Sequence, residues 1–442
     1  MSLIVQEDEQ STTVTSEAAR RKTVLIVGPP WPRSGTGRGM QNQVDYYRER
    51  GYFVVFICVP VHCSFSVSHP DWTRLRVGME ELGADRTFFA YIDNRRFKFA
   101  KYREWLRHSF RGTALDWIVF TAASARLPVE VRRFLSGLQV SLVHVNHVFT
   151  LQFTCDLLRS TIRSGAKVPM IVETHDIQAV ALEDRGEINP WTHRPDTLDA
   201  LVRSEVSQLE KAPVLLHVSV DDLEFFERHL PTKRHVLSMP TINKEFAASV
   251  ESSSNHGGAG PIDLLFVAQS TAPNAAAVEW FFGRVWPHLS AHGYTLQIVG
   301  GIGELVHETL PELYEKFRSH FTGLVADLIP FYSAARCVIA PMVSGTGISC
   351  KTIEALAVGK PFVGTSKAYR GMPMNELARL GLKPHDDPEG FANAIVCALG
   401  KEREAAAASR AAYSELFCNQ VSFNARDEAV RMALASRRWS VL

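Results

Sequence analysis

The chain contains no C-x-x-C pair. Its seven cysteines, Cys58, Cys63, Cys155, Cys337, Cys350, Cys397 and Cys418, are odd in number and widely scattered. Neither a disulfide framework nor zinc-ligand spacing is present, and such usage fits a reducing cytoplasm. Long apolar runs are missing too: no stretch approaches the roughly 18 residues of a membrane span. The opening MSLIVQEDEQSTTVTSEAARR is polar and acidic, unlike a signal peptide. Net charge is nearly absent, formally +1 from 48 basic and 47 acidic residues, so nothing in the bulk suits the coating of nucleic acid, and no such partner is expected. No G-K-[ST] closes a phosphate loop and no G-x-G-x-x-G opens a dinucleotide site, which leaves ATP and nicotinamide without their usual signatures. No D-x-D stands in a donor-like setting either; Val220 to Asp222 (VDD) reads as a helix start.

What is present is a regular alternation. At 442 residues and 46% hydrophobic content the chain exceeds what one core serves, so two domains are expected. Residues 1–21 read as a disordered tail. Strands are expected at Lys22 to Gly28, Phe53 to Pro60, Thr87 to Tyr91, Trp117 to Phe120, Leu142 to Val145, Met170 to Glu173 and Val214 to Val218. Helically spaced segments such as Met40 to Arg50 and Leu198 to Lys211 lie between them. This order predicts a parallel sheet covered on both faces. The small, polar Glu251 to Pro261 (ESSSNHGGAGP) marks a linker, drawn at 249–261. A second alternation begins at Ile262, with strands near Leu264 to Val267, Thr295 to Val299, Cys337 to Ala340 and Pro361 to Val363. The first domain thus spans 22–248 and the second 262–415, each doubly wound; helix-like Glu402 to Leu416 and Ser422 to Ala435 close the chain.

Three segments carry residue types suited to chemistry. In Ala340 to Thr365 (APMVSGTGISCKTIEALAVGKPFVGT) a glycine-rich loop enters a helix. The unsatisfied N–H groups of Gly345, Thr346, Gly347, Ile348 and Ser349 stand at the positive end of the helix dipole and suit a diphosphate. Lys351 can neutralise phosphate charge, and Glu354, an acceptor-only group one turn further on, suits the two hydroxyls of a ribose. The plain alternative is a tight strand-to-helix turn with an exposed Lys and Glu. In GPPWPRSGTGRGMQNQV, Gly35, Thr36, Gly37 and Gly39 form a loop before a helix; the alternative is a flexible surface turn. In PMIVETHDIQAV, His175 and Asp176 follow a strand and so fall at the carboxyl edge of the sheet, where open α/β sheets bind ligands. Glu205 and Glu210 read as surface or capping residues, with Ser219 an N-cap ahead of Asp221 and Asp222.

Together these segments resemble the retaining family-four glycosyltransferases, glycosyl transferases group 1. The helix motif E-A-x-A-x-G-K-P stands at Glu354, Ala355, Leu356, Ala357, Val358, Gly359, Lys360 and Pro361. Phe266 to Leu289 looks like the first strand, loop and helix of the same domain, and Phe321 to Pro341 like its later strand, acidic loop and helix. The resemblance implies the GT-B fold: two Rossmann-like doubly wound domains facing across a cleft, with residues 416–442 returning as a helix to the N-terminal domain. It makes His175 and Glu354 the catalytic candidates, with His175 hydrogen-bonding the transferred sugar and stabilising charge. Gln269, Ser270, Asn274, the 345–349 loop and Lys351 would join Glu354 in donor binding, and Gly35, Thr36, Gly37 and Asp176 would face the acceptor. No metal or other cofactor is implied. Two departures stand out. The first of the family's two glutamates, eight positions before Glu354, is Thr346, and the Arg and Lys that commonly grip the diphosphate give way to a loop with Gln269, Ser270, Thr271 and Asn274.

The expected activity is transfer of a sugar from a nucleoside-diphosphate donor to an acceptor hydroxyl, with retention, in cell-surface glycan assembly. A non-catalytic glycosyltransferase-like protein that binds a sugar nucleotide or a partner enzyme is the alternative, and a protein O-glycosyltransferase a further one. Residues 94–112 (NRRFKFAKYREWLRHSFRG) mix basic and aromatic side chains, a pattern that suits either an anionic lipid surface or a helix packed on its own sheet. The lipid case implies a cytoplasmic protein peripheral to the inner membrane face, with a lipid-linked glycan as acceptor; a protein acceptor would suit an electropositive groove equally.

Overall fold

The computed structural model describes residues 21–32, 35–62, 72–93, 97, 112–162, 168–242, 246, 249 and 262–436. The expected tail up to residue 20, the linker apart from Ser249, and residues 94–112 apart from Phe97 and Gly112 lie outside them. The chain divides into two compact units, one of residues 1–218, 222–238 and 423–442, the other of 219–221 and 239–422.

The first unit is built on seven strands: β1 (Thr23–Gly28), β2 (Phe53–Cys58), β3 (Arg86–Phe89), β4 (Val140–Asn146), β5 (Met170–Glu173), β6 (Val214–His217) and β7 (Arg234–Leu237). They pair in the order β3-β2-β1-β4-β5-β6-β7, every pair parallel. All six residues of β1 are buried, as a central strand covered on both faces requires. Alternate side chains separate into two cores. Leu25, Val27, Val143, Val145 and Val172 lie in one; Val24, Ile26, Leu142, Ile171 and Leu216 lie in the other, beneath Tyr46 and Tyr47 of the helix Gly35–Glu49 and Phe423, Ala429 and Ala433 of the last helix, Asn419–Ala435.

The second unit holds β8 (Ile262–Val267), β9 (Leu296–Val299), β10 (Phe321–Gly323), β11 (Ala335–Ala340) and β12 (Phe362–Gly364), parallel and ordered β10-β9-β8-β11-β12. In both sheets the winding reverses beside the first strand, between β1 and β4 and between β8 and β11. Ligands of open α/β sheets bind outside the carboxyl ends at such a reversal. Just past β9, Gly300 has φ +122°, and a Cβ there would stand 2.1 Å from the Ala268 carbonyl oxygen, so glycine lets this loop pass close to the β8 end.

Two expectations change and a third is narrowed. Trp117 to Phe120 is not a strand but the middle of the helix Ala114–Ala123, nucleated by a reciprocal capping box between Thr113 and Asp116. The glycines at 35, 37 and 39 do not form a loop before a helix; they are its first turns, since that helix starts at Gly35. Glu205 is buried, and it accepts the N–H groups of Gln178 (3.0 Å) and Ala179 (2.8 Å), capping from outside the short helix that follows His175. No described helix is long and apolar enough to cross a membrane.

Candidate functional site

In the second unit the loop after β11 passes Gly345 (φ +117°) and Gly347 (φ +65°) before the helix Cys350–Val358 begins. Both backbones adopt conformations that side chains disfavour, which glycine alone takes up without strain. Thr352 fastens this turn, its hydroxyl 3.0 Å from Ser349 Oγ and donating to the Ala368 carbonyl at 2.7 Å. Glu354 is buried at 6% exposure, so the plain alternative of an exposed Glu does not describe it. The Tyr332 hydroxyl donates to Glu354 Oε2 at 3.2 Å.

Lys351 points back under the loop. Its Nζ donates to Asn274 Oδ1 at 2.6 Å and lies 5.1 Å from the centroid of the Phe266 ring. Asn274 is held in turn, its Nδ2 donating to the Gln269 carbonyl at 2.8 Å. Burial, with Arg370 adding to it, pulls the Lys351 ammonium down to about 7. Gln269, Ser270 and Thr346 are exposed, and Ile348 is half-buried. Sequence reasoning missed Arg370. Its Nε donates to the Thr346 carbonyl at 3.1 Å, and a Cβ on Gly345 would stand 3.6 Å from its guanidinium carbon. An arginine five residues past Thr365 carries no local pattern; only folding of the β12 end onto the loop reveals it. The guanidinium puts a cation beside the loop.

In the first unit His175 follows β5, buried at 8% exposure. His147 follows the adjacent β4, and both have φ of +65°, a conformation a branched or bulky residue adopts only when its surroundings impose it. Their rings stack at 4.4 Å between centroids. His175 Nε2 lies 2.7 Å from Asn146 Oδ1, an acceptor, so this nitrogen carries the proton and Nδ1 keeps its lone pair. Burial, partly opposed by Glu173 and reinforced by His144 and Arg426, lowers the imidazole to about 4. Gly39 abuts the ring, its missing Cβ 3.5 Å from His175 Cε1. Gly37 presses on the Trp31 and Pro32 carbonyls, where a Cβ would fall within 2.4 Å of both oxygens. Asp176 is half-buried beside His175. The structure thus gathers His175, Gly37, Gly39 and the unforeseen His147 and Asn146 in one unit, and Asn274, Gly345, Thr346, Lys351 and Glu354 in the other.

Residues 261–401 match the family model described as Glycosyl transferases group 1. The matched stretch lies within the second unit. Comparison with curated proteins gives no match. Solved structures with the same architecture include HepE from Anabaena, in complex with UDP and glucose, at 12% identity and TM-score 0.58 over 93% of this chain and 99% of that one. Another is a UDP-forming α,α-trehalose-phosphate synthase from Burkholderia xenovorans, at 12% identity and TM-score 0.58 over 94% and 100%. A glycosyltransferase from Rickettsia africae aligns at 12% and 0.57 over 94% and 99%. Such likenesses show the fold, which is GT-B. The Gly345-to-Lys351 loop, Glu354, Asn274 and Arg370 all lie within the matched residues 261–401.

Proposed function

We propose that this protein transfers a sugar from a nucleoside-diphosphate-sugar to an acceptor hydroxyl with retention of configuration. The observation that carries the proposal is the buried Glu354 standing one turn beyond a glycine loop flanked by Lys351 and Arg370, within a group 1 glycosyltransferase domain. Glu354 takes the ribose hydroxyls. The 345–349 N–H groups, Lys351 and Arg370 take the diphosphate, and no metal is needed to neutralise it. HepE and the trehalose-phosphate synthase, whose structures hold or whose reaction forms UDP, support a nucleotide-sugar donor. In the step proposed, the bond from the anomeric carbon to the diphosphate breaks as the acceptor oxygen bonds to the same face. The acceptor proton passes to the departing phosphate oxygen. The protein's contribution is orientation and leaving-group stabilisation, to which His175 adds its hydrogen-bonding and electrostatic role.

The acceptor proposed is a cell-surface glycan precursor, lipid-linked at the inner membrane face; the basic and aromatic sequence of residues 94–112 supports it. The exposed Thr346, where the family's first glutamate would stand, favours the second reading, a sugar-nucleotide-binding protein without turnover. Arg370 weighs against it by supplying a cation at the loop.

The test is a thermal-shift screen against nucleoside diphosphates and sugar nucleotides, since a ligand of the folded state raises the midpoint. A selective rise with one sugar nucleotide is expected; no rise with any of them refutes the donor site. The same binding will depend on pH through Lys351. With its ammonium at about 7 in the free protein, diphosphate binding draws in a proton, so affinity is highest below pH 7 and declines above it. A sugar nucleotide, whose diphosphate does not titrate in this range, should lose about tenfold in affinity between roughly pH 6.5 and 8.5. Lys351→Met should flatten that dependence.

A further inference from the structure

We propose that Arg426, on the last helix of the chain, is a positioning residue for His175: it supplies a buried cation that lets Glu173 remain an anion while both histidines that face that carboxylate stay neutral. The inference rests on the proposed role of His175 and concerns how that residue's protonation is set.

The arrangement follows from strand register. Asn146 on β4 pairs with Glu173 on β5, and His144 with Ile171, so His144, Asn146 and Glu173 project to one face of the sheet, with His175 just past the strand end. The last helix covers that face and brings Arg426, 3% exposed, onto Glu173, 1% exposed. Arg426 Nη1 donates to Glu173 Oε2 at 2.7 Å. His144 Nε2 approaches the same oxygen at 3.2 Å, while the other oxygen, Oε1, faces His175 Nε2 at 3.7 Å. The helix Gly35–Glu49 adds Tyr47, whose hydroxyl stands 2.9 Å from His144 Nδ1, and Gln43, which pairs amide to amide with Asn146 at 2.6 and 2.9 Å. From the end of β4 the His147 ring stacks on His175.

Each hydrogen in this group has one consistent position. Glu173 Oε2 can only accept, so the facing His144 Nε2 carries the proton and Nδ1 accepts from the Tyr47 hydroxyl. His175 carries its own on Nε2, toward Asn146. One anion and one cation balance, and two imidazoles remain uncharged. Without the guanidinium, a dry carboxylate must acquire a proton or a cation elsewhere, and His144 and His175 are the bases that face it, with His147 stacked behind His175. Removal of Arg426 therefore places a proton on the His144–His175 pair, and the neutral pattern beside the candidate sugar site is lost.

Histidine-labelled full-length protein, followed by ¹⁵N NMR from pH 5.5 to 8, tests this, with His144 and His175 signals assigned by His144→Asn and His175→Asn. In the wild type His175, lowered to about 4, should not titrate, and His144 should titrate below an ordinary imidazole. In Arg426→Met, one proton shared by the pair should titrate within that window, a rise of at least about one pH unit. Arg426→Gln retains one hydrogen-bond donor without the charge, and should show the same titration if the methionine variant folds poorly. Arg426→Lys should restore the wild-type pattern, as should Glu173→Gln combined with Arg426→Met. If the folded uncharged variants show no new histidine titration, Glu173 has taken the proton itself, Arg426 is only a structural partner, and the proposal fails. A wild type that binds no sugar nucleotide would instead undo the functional proposal and leave the titration result standing.

Discussion

Arg426→Met is expected to lower the unfolding free energy by about 3–5 kcal/mol, because breaking a buried ion pair strands the remaining charge. The comparison lies one residue away on the same helix. Asp427 pairs with Arg50 at 2.6 Å, but at 49% and 27% side-chain exposure. Water and salt screen that pair, so Asp427→Asn should cost no more than about 1 kcal/mol. Urea denaturation of both variants checks the contrast. Equal losses would mean that the Glu173 site admits water. Acid provides an independent check of sign. Burial alone would raise the Glu173 carboxyl, but Arg426 and then the His144 contact hold it well below the usual range. Its contribution to stability is therefore complete above about pH 4.5 and is lost as pH falls below that. Combining Glu173→Gln with Arg426→Met removes both charges and should recover most of the loss.

Glu354→Ala should reduce nucleotide affinity by about 100-fold or more, equivalent to about 3 kcal/mol for two charge-assisted hydrogen bonds to ribose. The carboxylate is buried on a helix rather than on a mobile tip, so its orientation is fixed before the ligand arrives, and binding sacrifices little freedom at that side chain. Turnover should fall at least as far. Calorimetric titration against the donor found in the screen separates this from a structural effect. Tyr332→Phe removes the 3.2 Å hydrogen bond to Oε2 and should leave affinity within a few-fold of the wild type. If Glu354→Ala melts earlier but binds normally, the residue packs the helix and does not hold the nucleotide.

How much of this was visible in the sequence depends on where each signal lies. Strands such as Met170–Glu173 stood out because buried parallel strands are continuous apolar runs bounded by polar residues. The group 1 segment was legible because its glycines, Lys351 and Glu354 fall within ten residues. Trp117 to Phe120 misled because four apolar residues fit a strand or a buried helix equally; the deciding signal was Thr113 with Asp116, just upstream. β7, RHVL, escaped notice as a four-residue edge strand with a charged first residue. His144, Asn146 and Glu173 did leave a trace, polar residues at every second position of otherwise apolar strands. Arg426 left none, since its partner is 253 positions away and its helix is charged on other faces too. Arg370 was hidden for the same reason: the contacts that define these two arginines are set by topology, which periodicity does not encode.

That separation of 253 residues has a consequence for how the protein is made. At ribosomal rates of about 5–20 residues per second, Glu173 emerges on the order of 10–50 s before Arg426 exists. Throughout that interval the first unit has a sheet whose one face still awaits Phe423, Ala429 and Ala433, and an acidic side chain with no cation to meet it. The first unit to be synthesised is therefore the last to be finished, and a nascent chain stalled before residue 423 presents an apolar surface that a chaperone, or a neighbouring nascent chain, is free to occupy.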